Sequence, residues 1–175
     1  GHEILLQMPM EPFDYPNNNP GRGSLLADAN PEENLKELRS AMSRITNFTG
    51  VINYMGARFT SEPTALQPVL TEIAGRGLMF VDDGTSARSQ TVSLMTEAKG
   101  AYATGDIVLD DVQDKNEILK KLDQLEASAR ASGSAIGTGT AFDATVQAVA
   151  EWAEEAKKRG VEIVGVSALA SDPEK

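Results

Sequence analysis

Polar side chains recur where short apolar runs end, and they carry the chemistry available to this sequence. Ile4, Leu5 and Leu6 run towards Pro9, with Gln7 and Glu11 at the close. Gly50-Val51-Ile52 gives way to Asn53 and Tyr54, with Arg58 shortly after, and Leu78 to Val81 gives way to Asp82 and Asp83. Ile107 to Leu109 ends on Asp110 and Asp111, and Ser134 to Gly137 leads to Thr138. Carboxylates in such a set can act as general acid and base, or hold a hard cation through oxygen. Asn53 can hydrogen-bond a hydroxyl group and Arg58 can grip a carboxylate or phosphate, and either can equally serve loop backbone. With no cysteine and a single histidine, thiolate nucleophiles and zinc–thiolate sites are excluded. That histidine, His2, begins the first run rather than ending it, so it reads as a structural or surface residue.

These polar groups can meet only if the runs are parallel strands. Loop and helix signals between them say that they are. Phe13 to Ala29 is rich in Pro, Asn and Gly and predicts a loop lying over the carboxyl end of the first strand. Asn30 followed by Pro31, Glu32 and Glu33 predicts a capped helix start, with Leu35, Leu38, Met42 and Ile45 on its inner face. Further helices are expected over about 62–74, with Leu66, Val69, Leu70 and Ile73 inward, and over 86–98, with Val92 and Met95 inward. A long helix capped by Asp114 should end near Gly133, and a last one over about 143–158 should present Val146, Val149 and Ala153 to the core. Val161 to Val166 supplies a final strand. Alternating strands and helices predict right-handed crossovers and a parallel α/β fold, whose ligands bind beyond the carboxyl ends of the strands.

At 175 residues the chain can bury a sizeable core. Twenty-six acidic against 16 basic residues give a net charge of −10, which argues against nucleic acid or an anionic membrane surface as partner. No run approaches the roughly 20 apolar residues of a membrane span. Asp82 and Asp83 are adjacent on an extended strand and so face opposite ways, which allows only one of them into a pocket. Either can instead cap the turn through Gly84, Thr85 and Ser86.

Gly1-His2-Glu3-Ile4, the run Met8-Pro9-Met10-Glu11-Pro12 and Asn53-Tyr54-Met55-Gly56-Ala57 resemble the divergent polysaccharide deacetylase family, the YibQ-like branch of the NodB-like deacetylases. The resemblance continues down almost the whole chain. It implies a parallel (β/α) barrel, distorted, with residues 1–170 as its C-terminal portion and 171–175 as a polar tail. The first strand or two, with a paired Asp motif, would lie outside this chain. It also implies a hydrolase in which Asp and His hold a divalent metal such as zinc, which activates water against N- or O-acetyl groups of a glycan.

Carried over residue by residue, the metal histidines of the family's first pair fall on Gln7 and Glu11. Related sequences carry histidine at the places of Gln7 and Tyr54, and a G-H-x-H pattern near Thr138; this chain departs at each. A neutral amide oxygen is a weak zinc ligand, and a phenol must first lose a proton of pKa near ~10. No metal ligand is therefore assigned and no cofactor of the parent type is expected, although Glu11, Asp82, Asp83, Asp110 and Asp111 would suit Mg, Ca or Mn better than zinc. Asp82 and Asp83 stand where the family's Asp motif supports the catalytic base, and they are the catalytic candidates. Gln7, Glu11, Asn53, Tyr54, Arg58 and Thr138 are the candidates for holding substrate in one cleft.

Two functions stay open on this reading. One is a glycan deacetylase working through a non-standard site. The other is an inactive descendant that binds a carbohydrate or another cell-envelope component. Both imply a periplasmic or exported setting, with the targeting segment outside this chain.

Overall fold

The computed structural model describes residues 2–172, so Gly1 of the family-like lead-in and residues 173–175 of the expected tail lie outside the description. The chain forms two compact units, Gly1–Ala103 with Ala170–Lys175, and Thr104–Leu169.

In the first unit, β1 (Leu5–Met10), β2 (Gly50–Met55), β3 (Met79–Asp82) and β4 (Tyr102–Thr104) form one sheet in that order, with β1–β2 and β2–β3 parallel. The connections are α1 (Pro31–Met42), α2 (Pro63–Gly75) and α3 (Thr91–Glu97). Asn30 caps α1 by accepting the Glu32 N–H, with Pro31 in the first turn. Leu66, Val69, Leu70 and Ile73 of α2 are wholly buried with Leu38 of α1, and Met42 packs beside them, each fully buried side chain contributing about 1.5–3 kcal/mol. The β1 strand runs straight through Pro9. Proline is tolerated there because it lies on an edge strand, where its carbonyl accepts the N–H of Leu25 and no N–H is required of it.

Alternation along these strands fixes two faces. Leu6, Val51 and Phe80 are partners in register and, with Met8 and Met10, pack into the helix-covered core. Gln7, Ile52 and Val81 form the next row, on the opposite face, where Tyr54 also lies beside Pro9. Ser171 exchanges two backbone hydrogen bonds with Tyr102, so the expected tail begins as a bridge at β4.

In the second unit, β5 (Ile107–Val108) and β6 (Gly137–Thr138) form a short parallel pair, packed with α4 (Lys115–Ser132) and α5 (Asp143–Lys158). Asp114 caps α4, and Gly133 ends it in the left-handed region at φ 94°. Along α5 the buried residues are Thr145, Ala148, Trp152 and Ala156, while Val146 is exposed: the inner face is turned by one residue from the expected one. Trp152 packs in this core and donates its ring N–H to Asp123. Val161 to Val166 joins no strand ladder among the described residues; it borders a cavity of about 610 Å³ lined by Leu109, Leu125, Trp152 and Val161. The pairings seen are therefore a four-stranded and a two-stranded sheet, an α/β fold with parallel strands, and they do not display a closed barrel.

Candidate functional site

Parallel strands bring Glu11, the turn after Met55, and Asp82 with Asp83 to one end of the first unit's sheet. The turn is made by Met55 at φ 57° and Gly56 at φ 92°. A side chain on Gly56 would put its Cβ 2.6 Å from the Cβ of Met10, so only glycine fits. Asn53 locks the turn by donating to the Met55 carbonyl at 2.6 Å, and both the N–H and the hydroxyl of Thr60 donate to the Gly56 carbonyl. The chain then delivers Arg58 to Glu11.

Glu11 is only 3% exposed. Its Oε2 accepts the Ala27 N–H at 2.6 Å, its Oε1 pairs with Nη1 of Arg58, and its carbonyl accepts the N–H groups of Arg58 and Phe59. Nη2 of Arg58 reaches Asp28 at 2.6 Å, and hydrogen bonds to Asp28 and then to Glu11 raise the guanidinium above its ordinary pKa. Asp28 itself is open to water and Arg58 is about one-third open. The result is a fixed row of acid, base and acid, buried at one end and wet at the other.

Asn53, buried, accepts the Asp83 N–H at 2.8 Å. Asp82 is 2% exposed and accepts the Gly84 N–H at 2.9 Å and the Ser89 hydroxyl at 2.5 Å. Asp83 accepts the N–H and hydroxyl of Thr85. Both aspartates thus cap the turn after β3, and Asp82 points into it rather than outward.

The candidates do not all share one face. Glu11 and Arg58 are in contact, and Asn53 joins β2 to Asp83, but Gln7 and Tyr54 are exposed on the other face of the sheet. Thr138 belongs to the second unit, where it is the partner of Val108 in the two-stranded ladder. Asp110 of that unit is buried: its Oδ2 accepts the Thr140 N–H at 2.6 Å and the Thr145 hydroxyl at 2.8 Å. It supports the start of α5, where Phe142 offers no side-chain cap. Asp111 is on the surface, 3.6 Å from Lys121. His2 is exposed ahead of β1.

A family model described as divergent polysaccharide deacetylase matches residues 1–170. The chain belongs to that family. It is 25% identical over 174 residues to the uncharacterized protein YibQ of Escherichia coli K12, covering 99% of this chain and 54% of that one. An uncharacterized protein of Haemophilus influenzae is 26% identical over 142 residues, covering 79% of this chain and 49% of its own length. This family member therefore spans about half the length of the curated relatives it matches. A crystal structure of an uncharacterized protein from Agrobacterium tumefaciens C58 is 48% identical and superposes with a TM-score of 0.95 over 97% of this chain and 69% of that one.

Three groups at the sheet end escaped the sequence. Asp28 lies 30 residues before Arg58, with no local pattern to link them. Phe13 and Arg88 stack, with the guanidinium carbon 5.8 Å from the ring centroid. The signal for Phe13 was its place in the loop directly after Glu11; Arg88 carried none.

Proposed function

We propose that this domain binds a glycan of the cell envelope at the carboxyl end of its four-stranded sheet, without hydrolysing it through the metal centre of the parent family. The observation that carries this is the Glu11–Arg58–Asp28 row, whose inner carboxylate is fully committed while its outer groups face water. Arg58 keeps N–H groups, and Asp28 oxygens, that can meet sugar hydroxyls with little reorganisation.

The donor set does not fit the family's zinc. A hydrolytic zinc needs three protein ligands and one open position. Gln7, Tyr54 and Thr138 offer an amide, a phenol and a hydroxyl in place of imidazoles. The carboxylates of Glu11, Asp82 and Asp83 are held by Arg58, by backbone N–H groups and by hydroxyls. Among the described residues no three His, Cys, Asp or Glu side chains come together in a way that could hold a metal ion. No helix among them is long and apolar enough to cross a membrane. A periplasmic or exported setting, where envelope glycans are met, and the family's (β/α) barrel belong to the same proposal.

The test pairs binding with turnover. Calorimetry with N-acetylglucosamine oligomers and peptidoglycan fragments should show binding that weakens in Arg58→Ala. Acetate release, measured with zinc, manganese or magnesium added, should stay at the blank. Acetate release that disappears in Asp82→Asn would replace this reading with the hydrolase.

A further inference from the structure

We propose that the ring of Phe13 is a stacking platform for one uncharged pyranose ring, held in place by Arg88. This rests on the reading that the domain binds a glycan. Phe13 is 55% exposed, so its ring can be reached from solvent. It stands two residues beyond Glu11, in the loop after β1, while Arg88 comes from the loop after β3, beside the Ser89 whose hydroxyl is bonded to Asp82. Loops from two strands thus meet at the ring, at the same end of the sheet as Arg58.

The chemistry of an aromatic face selects the partner. Its π cloud is negative, so it attracts a cation on one side, here Arg88 at 5.8 Å, and weakly positive C–H groups on the other. One face of a pyranose presents such C–H groups, with its hydroxyls around the rim. Because Arg88 covers one side of Phe13, one side is left, and it takes one sugar. Charge narrows the class further. Arg88 is a single cation at the ring, whereas Asp14 as the next residue in the chain, Asp28 open to water and a net charge of −10 oppose a polyanionic chain of uronic acids, and leave neutral or N-acetylated sugars.

Calorimetric titration of this chain with tri-N-acetylchitotriose, and separately with a galacturonic acid trimer, tests the proposal. Phe13→Ala should weaken chitotriose binding about tenfold, while Phe13→Trp, which keeps a ring, should bind within about threefold of wild type. Arg88→Gln should fall between them, and the acidic trimer should not bind. Because Phe13 is exposed, the thermal midpoint should be the same in all variants. Equal chitotriose affinity for wild type and Phe13→Ala overturns the platform while leaving glycan binding intact. Equal affinity for the two trimers overturns the preference for uncharged sugar. Wild type that binds neither trimer overturns the platform together with the reading beneath it.

Discussion

Arg58 closes an ion pair on the buried carboxylate of Glu11 across 47 residues of sequence, and the backbone of the same two residues is joined by a hydrogen bond from the Arg58 N–H to the Glu11 carbonyl. The loop after β1 and the turn after β2 are therefore held as one piece. Removing the cation orphans a charge that is 4% exposed. Arg58→Ala should be the more damaging change, because it takes the cation away from a carboxylate that water barely reaches. Glu11→Gln removes the charge yet keeps an acceptor for the Ala27 N–H, and should cost only about 1 kcal/mol. Urea denaturation of both variants checks the order, and a Glu11→Gln loss as large as that of Arg58→Ala would show that the charge itself is not what Arg58 serves.

Gly56→Ala should be more damaging than its single added methyl suggests. The new Cβ meets the Cβ of Met10 at 2.6 Å, and the residue must hold φ 92°. Strain of this kind costs about 1–3 kcal/mol. Because this turn delivers Arg58, glycan affinity should fall as well. Gly77→Ala is the control, since φ is 71° there but nothing stands within 4 Å. Equal losses in the two variants would mean that the contact with Met10 has no weight.

The sequence showed the helices better than the site, and for a physical reason. Leu66, Val69, Leu70 and Ile73 are spaced for one helical face, Asn30 and Asp114 are caps in sequence as in space, and Gly133 ends its helix with positive φ. Those signals are local. A strand at Val161 to Val166 follows from apolar content alone, which says nothing about whether a neighbouring strand edge is there to pair with it. Apolar spacing points to the wrong face of α5 because small residues carry the inner one: Ala148 and Ala156 are fully buried while the larger Val146 stands 57% exposed. At the site, polar residues near strand ends were legible, but not which way each points. The apolar run alone puts Gln7 at the end of β1, but the strand runs on through Pro9 to Met10, leaving Gln7 midway and on the opposite face from Asn53.

Acid should weaken both units through two other clusters. Glu72 is held by Arg39 and Arg76, and Glu126 by Arg159 and Arg130, and each carboxyl is pulled down to about 2. A depressed folded-state pKa contributes stability that is fully present above the ordinary carboxylate range and is lost as pH falls through it towards the folded value. The window here runs from about 4.5 down to about 2. Wild-type denaturation midpoints should fall across that window, and Glu72→Gln with Glu126→Gln should flatten the fall while lowering the plateau above it. Parallel curves for wild type and the double variant would mean that neither cluster is linked to folding.

The opposite face of the sheet gives a last prediction, about what would rebuild a metal site. Gln7 is paired with Ile52 and Tyr54 with Pro9, so Gln7 and Tyr54 lie on adjacent strands, two residues apart along the strand direction and on one face. With strands ~4.8 Å apart and a two-residue rise of ~6.6 Å, their Cα atoms are about 8 Å apart. Both side chains are exposed, so neither position needs repacking to accept an imidazole. Gln7→His with Tyr54→His should therefore give a two-imidazole site that binds zinc more tightly than wild type, with water filling the other positions. Either single variant should gain far less, because one imidazole cannot chelate. Turnover should not follow, since three protein ligands, a base and an acid are all still required. Zinc titration by calorimetry separates the cases, and a double variant no tighter than either single one would mean that positions 7 and 54 do not face the same point.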